Sequence, residues 1–92
     1  MATKEIETLI RLRKFEVDER QRAMAVLLGR EENILNGLEA LKLEKQAEAE
    51  FMREAGIWEG STYTAYLEHW KIRHQRFMAA LTQVRTLILK AS

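Results

Sequence analysis

The sequence has no cysteine and no proline, and only four glycines. The missing cysteine excludes disulfides and thiol chemistry, and leaves the compartment open. Long hydrophobic runs are missing too. The longest, Ala23 to Leu28, has six residues, far short of a membrane-spanning helix. The opening residues, Met1 to Glu5, lack the apolar stretch of a signal peptide. These absences lead to the expectation of a soluble, cytoplasmic protein. Neither sign of charge dominates: 15 basic and 14 acidic residues leave a net charge of +1. A nucleic-acid partner is not expected, because such binders carry a basic excess.

What is present is helix-forming material. Charged residues make up 32% and apolar residues 47% of the 92 positions, the composition of long helices and coiled coils. Disorder is excluded by the apolar content. A chain this short has room for one small domain and none for a deep catalytic pocket.

From Ile6 onward the apolar residues recur in alternating steps of four and three. The stripe passes through Ile6, Ile10, Val17, Met24, Leu27, Ile34, Leu38 and Leu41, and ends at Met52. Arg13, Arg20, Glu31, Lys45 and Glu48 interrupt it, while Leu9, Leu28 and Leu35 widen it. This spacing is the seam of a coiled coil. Its phase survives Gly29 and Gly37, so Asn36-Gly37 is read as helix and not as a turn. Gly37 lies beside the seam, where it either admits a close neighbour or is simply tolerated.

The convincing break is Gly56 to Thr62. Gly56 suits a left-handed helix end, and Gly60-Ser61-Thr62 suits a turn into a new helix. Ile57 and Trp58 between them are expected to fold over and staple the tip. The repeat then resumes with Tyr63, Leu67, Trp70, His74, Phe77, Leu81, Val84 and Ile88.

The expected fold is all-α, a long antiparallel two-helix coiled-coil hairpin forming one domain over residues 1–92. The first helix covers about residues 3–55, the turn about 56–61 and the second helix about 62–90. At 1.5 Å per residue the helices are ~75 and ~43 Å long. Folding about Ile57 and Trp58 sets Tyr63 near Met52, Trp70 near Lys45, Phe77 near Leu38 to Leu41, and Ile88 near Leu28. Opposite charge favours this pairing. Acids outnumber bases seven to four between Arg30 and Glu54, and bases outnumber acids five to two from Glu59 onward.

The second helix is too short to cover the first. Residues 1 to about 26 project as an arm with an apolar face of Ile6, Leu9, Ile10, Val17 and Met24. An isolated helix of this length is marginal in water. The face is therefore expected to be covered, by a longer second helix, by a homodimer through the arm, or by another partner.

Chemistry-bearing patterns are scarce. His69 and His74 are five apart and point to different helix faces, whereas metal pairs on a helix need a spacing of three or four. No phosphate loop, nucleophile elbow or pocket carboxylate pair is found. Neither a metal, a cofactor nor an enzyme activity is expected. Arg11, Arg13 and Lys14, extended by Arg20 and Arg22, form a basic cluster laced with Glu7, Glu16 and Asp18. The spacing predicts i,i+4 pairs of Glu7, Glu16 and Asp18 with Arg11, Arg20 and Arg22. Arg13 and Arg20 occupy the stripe itself, where charge marks register control or a polar partner. Tyr63, Tyr66, Trp70 and Phe77 are rich in the side chains that anchor interfaces. Tyr63, Trp70 and Phe77 have seam phase and read first as core. Tyr66 is one position off the seam and reads as reachable, with Arg73 outward beside it.

The stretch Leu9-Ile-Arg-Leu-Arg-Lys-Phe-Glu-Val-Asp-Glu-Arg20 resembles the start of the flagellar export protein FliJ family. The tip Ala55-Gly-Ile57, with Tyr63-x-x-Tyr-Leu-x-x-Trp70 after it, is similar to that family too. The resemblance implies a helical hairpin like the central stalk of rotary ATPases. It implies a flagellar export ATPase as partner at the two hairpin ends, the export-gate protein FlhA near the tip, and export chaperones. It would place Arg11, Arg13, Lys14 and Glu16 on the ATPase side, and Tyr66, Trp70, Arg73 and Phe77 on the gate side. The location it implies is cytoplasmic, at the membrane-bound export apparatus. Family members continue the second helix back along the first, so the resemblance carries the expectation that the chain is a shortened form. A stalk of this kind would act by touching open and closed ATPase subunits differently. The alternatives are a generic self-associating scaffold and a chaperone for an amphipathic partner helix.

Overall fold

The computed structural model describes residues 2–56 and 61–92. It is an all-α hairpin of two helices, α1 (Ala2–Ala55) and α2 (Ser61–Ala91), with no strand among the described residues. The molecule extends 83 × 18 × 13 Å with a radius of gyration of 23.2 Å. A compact domain of this length would have a radius near ~12 Å. The long dimension is that of α1 alone, whose 54 residues rise ~81 Å.

α1 is continuous because its seam never loses phase and no residue in it blocks a helical hydrogen bond. It ends at Gly56, whose φ of +71° is costly for any side chain with a Cβ. The Gly56 N–H donates to the Arg53 carbonyl at 3.2 Å, satisfying one of the carbonyls that a helix end leaves over. The expected staple at Ile57 and Trp58, and the turn at Gly60, lie outside the described residues.

α2 runs back along α1 in the register set by the two stripes. Lys45 sits over the Trp70 ring, 4.2 Å from its centroid. The Trp70 Nε1–H donates to the Leu41 carbonyl at 2.9 Å. Further along, the Arg85 Nε–H donates to Glu31 at 3.0 Å. The core is thin: among the described residues, Leu41, Met52, Leu81 and Val84 are the buried apolar side chains. Two helices cannot enclose more than one row of side chains. Fully burying one such aliphatic contributes ~1.5–3 kcal/mol.

Gly37 does more than survive in the helix. A Cβ built on it would lie 2.5 and 2.7 Å from the Cε1 and Cζ atoms of Phe77. The missing side chain is the space into which this ring packs, so simple tolerance is not the explanation there. At Gly29 nothing lies within 4 Å of an added Cβ, and tolerance suffices.

The far end of α2 reaches the stretch around Arg20 and Ala23, which borders one open groove together with Lys90, Ala91 and Ser92. All five of these residues are exposed, so the pairing thins out here, near the expected limit around residue 26. Below this point α1 continues as a single helix. The whole molecule exposes 7618 Å², against ~5,500 Å² for a compact monomer of its mass.

Candidate functional site

Two regions hold the sequence-derived candidates: the bare arm of α1 and the tip-proximal half of the hairpin.

Among the described residues of the arm, the large apolar side chains up to Val17 face solvent. Ile6, Leu9, Ile10, Leu12, Phe15 and Val17 are all exposed, Leu9 to 63%. Ile6, Leu9, Ile10 and Val17 share one face by helical phase, with Leu12 beside Leu9 at its edge and Phe15 on the opposite side. Arg11, Arg13 and Lys14 are exposed and Glu16 half-buried. The i,i+4 pairs expected here are replaced by i,i+3 pairs. Arg13 approaches Glu16 at 4.0 Å, and Arg22 donates to Glu19 at 2.6 Å. Both spacings bring side chains together on a helix surface, and such exposed pairs contribute little.

In the tip-proximal half, Tyr66 and Arg73, read from their phase as reachable and outward, are both engaged across the hairpin. Both are half-buried and converge on Glu44 of α1. The Tyr66 hydroxyl donates to Glu44 Oε2 at 3.2 Å. Arg73 donates to the same carboxylate twice, at 2.9 and 3.4 Å. Sequence reasoning missed Glu44. The signal was there: it lies on the flank of the seam that meets Arg73 once the register is known. Partial burial, then the hydrogen bond to Glu44 and the charges of Glu44 and Glu48, push the Tyr66 hydroxyl up to about 12, against the opposing pull of Arg73. At neutral pH it is a donor only toward this carboxylate.

Trp70 and Phe77 are half-buried in the seam. The Trp70 ring stacks on His74 at 4.9 Å with a 14° tilt, which gives the seam histidine an aromatic neighbour. Tyr63 stacks on Tyr66 at 6.3 Å. Shallow grooves run along both sides of this stretch. Ile34, Arg73, Arg76, Phe77 and Ala80 line one. Leu35, Leu38, Trp70, His74 and Met78 belong to the other. The two candidate clusters sit at opposite ends of the rod and do not form one site.

Among the described residues no group of histidine, aspartate or glutamate is placed to hold a metal ion, and no helix is long and apolar enough to cross a membrane. Compared with models of protein families, with curated proteins and with solved structures, the chain matches none.

Proposed function

We propose that the chain is a non-catalytic, self-associating helical-hairpin scaffold that assembles through the uncovered arm of α1. The observation that carries this is the exposed apolar face of Ile6, Leu9, Ile10 and Val17 on a helix whose seam is covered elsewhere. A single helix of this length is marginal in water, whereas the same helix gains from every apolar side chain it covers. Sedimentation of the intact chain should give a mass above the monomer, and Ile10→Glu/Val17→Glu should return it to the monomer. An intact chain that stays monomeric at every concentration rules this function out.

A second, more specific reading rests on the FliJ-like segments, Leu9 to Arg20 and the tip through Trp70. On it the chain is a stalk-like partner of a flagellar export ATPase, with Arg11, Arg13, Lys14 and Glu16 toward the ATPase. FlhA would meet the region of Tyr66, Trp70, Arg73 and Phe77, and export chaperones would bind the same protein. The purified chain would then bind an export ATPase and raise its turnover. Absence of both binding and stimulation would end that reading and leave the scaffold reading standing.

A further inference from the structure

The α1–α2 pair shows how antiparallel helices match in this molecule. Seam residues face seam residues, as Lys45 faces Trp70. Residues on the same flank of each helix also meet. Glu44 lies three positions after Leu41 and Arg73 three after Trp70, and these two form a two-pronged ion pair across the hairpin. The arm continues the α1 seam through Ile6, Ile10, Arg13, Val17 and Arg20. Glu7 and Lys14 lie on one flank of it, Leu9 and Glu16 on the other.

We infer, resting on the scaffold reading, that the arm is covered by the arm of a second copy, antiparallel, with Ile6 opposite Val17 and Ile10 opposite Arg13 of the other copy. Seam must meet seam, so orientations and registers are few. A parallel pair would put Arg13 on Arg13 and Arg20 on Arg20 inside the seam, two like-charge layers. Antiparallel registers come in steps of one seven-residue repeat. The shortest overlap sets Ile6 opposite Ile10 and brings Glu7 onto Glu7. The longest sets Ile6 opposite Met24 and brings Lys14 onto Lys14 and Glu16 onto Glu16. It also runs into the stretch around Arg20 and Ala23, which already shares a groove with the end of α2 at Lys90, Ala91 and Ser92.

In the middle register Glu7 of each copy meets Lys14 of the other, twice by symmetry. The other flank pairs Leu9 with Glu16. Flanking charges of this kind select orientation and partner in coiled coils. Arg13 lays its aliphatic stem across Ile10 of the second copy and keeps its guanidinium in water. The intact chain thereby becomes one two-stranded rod with a hairpin tip at each end.

The absence of cysteine makes thiol cross-linking unambiguous. Mixed and oxidised Ile6→Cys and Val17→Cys chains should give a disulfide-linked pair, and neither chain alone should. Charge swaps supply a readout that leaves the seam intact. Glu7→Lys and Lys14→Glu should each weaken the dimer roughly tenfold, since two exposed pairs turn repulsive. The double exchange should restore it. Cross-linking by Ile6→Cys alone, or no recovery in the double exchange, overturns this register while leaving the scaffold reading in place. A monomer in sedimentation overturns both.

Discussion

The clearest consequences at the scale of single residues come from two glycines in one helix. Gly29→Ala meets open space and should stabilise the hairpin by up to ~1 kcal/mol through helix propensity. Gly37→Ala gains the same propensity but drives a methyl group into the Phe77 ring. Overpacking of this kind costs ~1–3 kcal/mol, so the net change should be a loss of about 1 kcal/mol. Adding Phe77→Leu should recover part of it. Urea denaturation of the variants decides the signs.

Tyr66 yields a pH dependence. Its hydroxyl titrates at about 12 in the folded chain, against 10.0 ordinarily. A raised folded-state value means that its contribution is full below pH 10 and is lost as pH rises toward 12. The intact hairpin should therefore lose stability over that interval more steeply than Tyr66→Phe does. Thermal melts of the two chains across alkaline pH provide the comparison.

At the scale of the helices, stability is unevenly spread. Val84 is fully buried at 0% exposure, and Val84→Ala should cost about 2 kcal/mol from lost transfer energy and the cavity left behind. An exposed seam position in the arm, such as Val17, should cost almost nothing in the monomer and much in the dimer. Hydrogen exchange should report the same division. Amides of residues 4–18 should exchange far faster than those around Leu41 in dilute solution, because no second helix covers them. Their protection should rise with protein concentration. Concentration-independent exchange in the arm would count against self-association.

For the whole molecule the relevant quantity is length. The monomer measures 83 Å along its axis. Two copies joined through about 22 arm residues would form a rod of ~135 Å at 1.5 Å per residue. Small-angle scattering distinguishes these values, and also distinguishes this rod from a side-by-side dimer no longer than one monomer. The outer grooves and the Glu44 cluster near the tips would remain open in such an assembly.

The sequence alone determined the architecture. A seven-residue apolar period whose phase breaks once, at Gly56, buries much of its stripe by folding back there; the stripe phases allow registers in steps of seven, and the position of the break selects one of them. The facing of Trp70 and Lys45 and the bare N-terminal arm follow from counting residues. What counting could not supply is how side chains beside the seam choose among partners within reach. Tyr66 and Arg73 read as outward from their phase, yet both turn onto Glu44, because only the pairing of two helices brings a carboxylate to that flank. Gly37 gave no sign of its use until Phe77 was placed against it, since a missing Cβ acquires meaning only from the atoms that fill its space. Period and phase are properties of one chain segment and can be read along it; contact and desolvation belong to pairs of segments and are decided when the two helices meet.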